Sequence, residues 1–198
     1  MPGRLVLTIG HSTRTLEELI ELLRHHEVEL LIDVRTVPGS RRMPHFAKAS
    51  LERSLPAHGI AYMHMPELGG LRKPKPDSIN SGWRNVGFRG YADYMQTDEF
   101  WDAIGRLEEL ATARRVAIMC AEAVPWRCHR SLIADALLVR GDDVRHITGK
   151  AAPAVHTLTP FAHVHPPLRP LPSGPPSHLP MNGEDRRITY PAPDTLPI

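Results

Sequence analysis

The residues best suited to chemistry lie in one eleven-residue run, Cys120-Ala-Glu122-Ala-Val-Pro-Trp-Arg-Cys128-His129-Arg130. It holds both cysteines of the chain, a carboxylate, an imidazole and two guanidiniums. The run is expected to leave a strand, turn through Pro125 and enter a helix at Cys128–Arg130. The free amides and positive end of that helix favour an anion, and with Arg127 or Arg130 they make a thiolate more available. Cys120 or Cys128 is then a candidate nucleophile. His129 is a natural proton carrier. The same thiols and imidazole also suit Zn or Fe, with Cys120, Cys128, His129 and His11 as the ligand set. Cys120 equally suits a small buried hydrophobe.

Other reactive groups cluster at comparable places. Gly10-His11-Ser12, Asp33-Val34-Arg35 and Pro66-Glu67-Leu68-Gly69-Gly70 each follow an apolar run, and His146 stands near the end of another. Arg35 and Arg41 suit bidentate recognition of carboxylate or phosphate, whereas Arg42 and Arg72 read as solvated surface. Asp33 and Glu122 serve either as general acid and base or as orienters of arginines. Ser12 offers a hydroxyl to a bound oxygen.

The elements that must position these groups alternate. Leu5–Ile9, Leu30–Val34, Ile60–Met65, Val116–Cys120 and Val144–Ile147 read as strands, the first two as runs buried on both faces. A helix follows the first strand, with Thr15 and Glu18 in capping-box register and Leu16, Leu19, Ile20 and Leu23 on one stripe. Residues 47–58 read as a weaker helix containing Pro56, 66–89 as a long aperiodic loop, and 91–113 as helix with a break near Thr97-Asp98. Residues 128–140 form the last helix. The alternation predicts an open, mostly parallel sheet of about five strands with helices on both faces, Rossmann-like or flavodoxin-like. Ligands of such sheets bind outside the carboxyl ends of the strands, where the reactive groups fall. Residues 1–150 make the α/β domain. Residues 151–198 hold 12 of the 20 prolines and read as an extended, partly disordered tail.

Composition sets bounds. With 198 residues, the chain suffices for one domain with a sizeable core. A formal net charge of +2 is too small to argue for a nucleic-acid or membrane partner, so an anion site needs local clustering of arginines. No apolar run is long enough to suggest a membrane span or a signal-peptide core. Two cysteines without an export signal suggest free thiols and the cytoplasm.

Seven runs together resemble the bacterial family called Domain of Unknown Function 488: Thr8–Ser12, Leu31–Arg35, Pro38–Arg41, Gly59–Tyr62, Glu67–Gly70, Tyr91–Tyr94 and Cys120–Arg130. The resemblance covers about residues 6–148, and His156–Ala162 is similar to the family's usual ending. It implies that His11, Asp33, Arg35, Ser40, Arg41, Glu67, Cys120, Glu122, Cys128, His129 and Arg130 share a common site. It implies no particular reaction. Pro56 and the extended tail depart from the family pattern.

Three functions fit these residues. The leading expectation is a hydrolase- or transferase-type enzyme on a small anionic substrate or nucleotide. Arg35, Arg41 and Arg130 bind it, with Ser12, Asp33, Ser40 and Glu67 around it and His11, Cys120, Glu122, Cys128 and His129 as catalytic groups. It lacks the Walker-type and His-Cys-x₅-Arg phosphate loops. The second is a Zn or Fe site on the cysteines and histidines. The third is nucleic-acid binding through the basic 71–89 loop, with Trp83, Phe88 and Tyr91 as stacking surfaces.

Overall fold

The computed structural model describes residues 3–39, 43–165 and 187–193, so Ser40, Arg41 and Arg42 lie outside the described residues. Five apolar runs form parallel strands: β1 (Leu5–Gly10), β2 (Leu30–Asp33), β3 (Ala61–His64), β4 (Val116–Cys120) and β5 (Asp143–Ile147). A short β6 (Ala154–Val155) pairs antiparallel on β5, which completes a six-stranded sheet in the order β3-β2-β4-β1-β5-β6. The five expected strands are thus joined by an antiparallel edge.

Side-chain alternation assigns the two faces. Leu7, Ile9, Leu31, Ala117, Met119 and Ile147 pack with α1 (Leu16–His25) and α2 (Lys48–Ser54). Val6, Leu30, Ile32, Val116, Ile118 and Val144 pack with α3 (Val86–Tyr94), α4 (Asp98–Ala113) and α5 (Arg130–Val139). The chain moves from β1 through β2 to β3 over the first face and returns through β4 to β5 over the second. Right-handed crossovers require this change of face when the direction of travel reverses. At the carboxyl edge, the connection leaving β4 therefore diverges from those leaving its neighbours β1 and β2. A crevice between strand ends follows from that divergence.

Local signals explain most boundaries. The Thr15–Glu18 capping box starts α1 as expected, and Thr97 caps α4, which separates it from α3. Three expectations need correction. Helix 47–58 ends at Ser54, because Pro56 has no N–H to continue it and instead opens a single 3₁₀ turn, Pro56–His58. The long loop stops at Asn85, whose side chain caps the amides of Gly87 and Phe88 and starts α3. The last helix begins at Arg130 rather than Cys128, after a 3₁₀ turn over Pro125–Arg127.

The segment after Lys150 contributes to the core where it is described. β7 (His163–Val164) pairs with β8 (Ile188–Thr189), and Ile188 and Tyr190 are fully buried against the α3–α5 layer. Tyr190 donates its hydroxyl to Asp135 Oδ2 at 2.8 Å. Asp135 Oδ1 lies 2.9 Å from His156 Nε2, and His156 Nδ1 lies 3.0 Å from His146 Nε2. His146 Nδ1 in turn lies 2.8 Å from Thr8 Oγ1, its register partner across β1 and β5. No helix among the described residues is long and apolar enough to cross a membrane.

Candidate functional site

The expected site residues separate into two groups on opposite faces of the sheet's carboxyl edge. The first is built around β2. Asp33 accepts hydrogen bonds from the backbone and Nε of Arg35 at 3.1 and 2.8 Å, from Arg35 Nη2, and from Tyr62 at 2.8 Å. Arg35 Nη2 also donates to the Phe46 carbonyl, and Nη1 lies 3.3 Å from His11 Nε2. His11 stacks on Phe46 at 4.3 Å and lies 3.0 Å from the Ser12 carbonyl through Nδ1. Burial pushes the His11 imidazole down to about 4, with Arg35 adding to the effect against the Ser12 hydrogen bond. A neutral ring that donates through Nδ1 and accepts from Arg35 satisfies both nitrogens. Both partners of the Asp33–Arg35 pair are buried. This group has the form of a saturated structural network.

The second group lies between β4 and α5. Cys128 is extended (φ −138°, ψ 146°), whereas His129 is helical (φ −56°, ψ −14°). That change of backbone state lets adjacent side chains converge. His129 Nδ1 stands 3.7 Å from Cys128 Sγ and 3.9 Å from Cys120 Sγ. His129 Nε2 lies 3.1 Å from the Val34 carbonyl, which can only accept, so the ring proton sits on Nε2 and the Nδ1 lone pair faces the sulfurs. Among the described residues, Cys120, Cys128 and His129 are the group of three or more donors whose ligand atoms fall within 4.8 Å of one another. His11 is not part of it.

The imidazole is closely packed. Tyr91 lies against it with ring centroids 5.0 Å apart, and the backbone of Gly70 approaches it at Nδ1. A Cβ at Gly70 would lie 2.4 Å from His129 Nδ1, and one at Gly69 would lie 2.5 Å from Thr36 Oγ1. Two glycines are needed for this approach. The loop is held by Tyr91 and Tyr94, which donate to the carbonyls of Leu68 and Glu67 at 3.0 and 2.6 Å. Glu67 itself pairs with Arg106 through its carboxylate, and so supports the loop from outside the donor group.

Both thiols are free and buried. A hydrogen bond from Cys120 draws the Cys128 thiol well below its usual range, with Arg130 adding to the effect against burial. The same bond, with burial, pushes Cys120 up. Arg130 lies beneath the strand ends, 1% exposed, donating to Thr8 Oγ1 and the Glu122 carbonyl. A Cβ at Gly10 would lie 2.9 Å from Arg130 Nη2 and 1.8 Å from the Glu122 carbonyl oxygen, so glycine is required there. The Glu122 side chain is exposed, and its carbonyl is the part that the site uses. Ser12 holds a left-handed φ of +50°, with its amide donating to Ala121 at 2.8 Å.

A cleft of about 290 Å³ opens onto the donor group, lined by Arg35, Thr36, Gly70, Cys120, Ala121 and His129 among others. Cys128 is 4% exposed and does not line it. A larger, mostly apolar cavity of about 440 Å³ lies beyond the Pro125–Ser131 turn, bordered by Trp83, Trp126, His146, His156 and Phe161. Its two histidines are hydrogen-bonded to Thr8, to each other and to Asp135. In the 71–89 stretch, Trp83 stacks on Phe88 and meets Phe161 and Tyr190, while Tyr91 is fully buried. Trp83 and Phe88 are half-buried against the core.

Sequence reasoning found the cysteines, His129 and Arg130, but missed the contacts of Gly70, Tyr91 and the Val34 carbonyl with the imidazole. The Gly69-Gly70 doublet after a strand was the available signal, since adjacent glycines commonly mark close backbone approach. A family model described as Domain of unknown function DUF488 matches residues 15–137. That span includes α1, the Gly70 loop, both cysteines and most of α5. Neither the curated proteins nor the solved structures yield a match.

Proposed function

Since the chain belongs to the family Domain of unknown function DUF488, we propose that its cysteine–histidine cluster is a mononuclear, zinc-class metal centre of catalytic type. The observation that carries the proposal is the position of His129 Nδ1, nearly equidistant from two sulfurs. Ligand bonds of about 2.3 Å to sulfur and about 2.0–2.1 Å to nitrogen, at tetrahedral angles, separate the donor atoms by about 3.6 Å. Distances of 3.7 and 3.9 Å suit one ion shared by three donors. The Nε2–Val34 hydrogen bond supports the same reading, because ligating histidines characteristically donate their other ring N–H to a carbonyl or carboxylate. Three protein ligands leave a fourth position, and the cleft meets the cluster at Cys120 and His129. An open position distinguishes a catalytic centre from a closed structural one.

A thiol nucleophile is the second reading, favoured by the depressed Cys128 thiol. Access argues against it. Cys128, the thiol drawn down, is 4% exposed and does not line the cleft, whereas Cys120, which borders it, is pushed up. Arg35 is also committed to Asp33 and the Phe46 carbonyl rather than free to grip a substrate.

Elemental analysis of the full chain purified without chelator tests the proposal. About one zinc or iron per chain is expected for three strong ligands. The metal should be lost in Cys120→Ala and Cys128→Ala variants that retain the native circular dichroism. A folded protein that is metal-free and does not take up zinc on titration would overturn it in favour of the thiol.

A further inference from the structure

We infer that Cys120 and Cys128 form an oxidation site, at which a hydroperoxide joins the two sulfurs in an intramolecular disulfide and so empties the centre. The inference rests on the metal centre proposed above and concerns the fate of its ligands.

The placement of the two sulfurs carries it. They lie within 4.8 Å of each other and within 3.9 Å of the same nitrogen, His129 Nδ1. A disulfide holds its sulfurs at about 2.0 Å, so the gap to close is under about 3 Å, a displacement that rotation of a thiol about χ1 covers. The chain between them can follow, because residues 121–123, 126 and 127 are exposed. No third thiol competes, since these are the two cysteines of the sequence. With both buried, a thiol of another chain is kept from either sulfur.

Access sets the order of events. Cys120 lines the cleft of about 290 Å³, whereas Cys128 does not. Hydrogen peroxide is little larger than a water and fits such a space, which corresponds to about ten waters. Cys120 is therefore the sulfur attacked first, and Cys128 is the sulfur that resolves it.

The reaction balances with one hydroperoxide. As a ligand, Cys120 is a thiolate. Its sulfur attacks one peroxide oxygen, the O–O bond breaks, and a sulfenic acid and a hydroxide form. The Cys128 thiolate then attacks the Cys120 sulfur, the S–O bond breaks, and a second hydroxide leaves. The two sulfurs lose two electrons, the peroxide gains them, and two protons from solvent convert the hydroxides into water. His129 is left as the single donor of the three, too few to hold the ion.

The test treats the zinc-loaded full chain with hydrogen peroxide, with mass spectrometry and a chromophoric zinc chelator as readouts. A loss of about 2 Da, a linked Cys120–Cys128 peptide and release of about one zinc per chain are expected, all reversed by dithiothreitol and zinc. Brief exposure in the presence of dimedone should label Cys120. A dimedone adduct on Cys128 instead overturns the assigned order and the role given to the cleft. Zinc-loaded protein that keeps its metal and mass, or gains about 32 Da as a sulfinic acid without the link, overturns the inference and leaves the centre intact. A chain that takes up no zinc yet forms the link overturns the centre and keeps the oxidation site.

Discussion

With the proposed metal centre in place, replacing Gly70 with alanine should cost metal affinity more than fold. The added Cβ would lie 2.4 Å from His129 Nδ1, 2.8 Å from Cγ and 2.9 Å from Cε1, which places it over the ring face. Comfortable contact begins near 3.5 Å, so ring and loop must separate by about 1 Å. Neither moves freely. Tyr91 packs against the ring, Nε2 is tied to the Val34 carbonyl, and the loop is pinned by the Leu71 amide donating to Thr36 Oγ1 at 3.1 Å. Gly70 does not have a positive φ, so the substitution tests the contact and not the backbone conformation. A metal–nitrogen bond tolerates about 0.2 Å, and groups that merely support a ligand typically contribute about 10–100-fold to affinity. Zinc affinity should therefore fall by at least that factor, while overpacking costs roughly 1–3 kcal/mol of stability. Competition with a chromophoric chelator measures the first and denaturant unfolding of the metal-free protein the second. Gly39→Ala is the control, since nothing lies within 4 Å of its Cβ position. A folded Gly70→Ala protein with wild-type zinc affinity would refute the role given to His129.

Three further outcomes follow from the same geometry. Asp33→Asn removes the charge that compensates buried Arg35 and should destabilise the chain by about 3–5 kcal/mol in urea unfolding; a negligible loss would mean that Arg35 is available to ligands. Tyr190→Phe leaves buried Asp135 Oδ2 without its hydroxyl donor and should cost roughly 1.5–3 kcal/mol, and an unchanged melting curve would show that this segment does not support the core in solution. Burial lowers His11 and His146 to about 4, so between that value and the ordinary 6.5 the unfolded chain binds more protons than the folded one. Stability should accordingly fall as pH drops from 7 towards 4, and His11→Asn should flatten that dependence; an identical pH profile in the variant would contradict it.

The elements were legible because their causes are local. Continuous apolar runs mark strands covered on both faces, Thr15 with Glu18 marks a helix start, and alternation of the two element types dictates a parallel sheet. Boundaries failed where one residue decided them, as at Pro56 and Asn85. How the reactive residues divide between the two faces was not legible either. Which face a strand-end side chain takes depends on register, and which loop crosses it depends on the direction of each crossover.

By itself, the sequence determined that polar, thiol-bearing groups would gather at the carboxyl edge of a parallel sheet. Only tertiary structure decided which of them meet. Asp33 and Cys120 end adjacent strands, yet Asp33 joins Tyr62 and Arg35, while Cys120 joins Cys128 and His129. The extended-to-helical step between Cys128 and His129, the Gly70 loop and the Tyr91 ring come from separate segments, and they converge only because long-range packing brings α3 and α5 together over one face. Local propensity carries no information about such distances, which is why the place of the chemistry was readable and its ligand geometry was not.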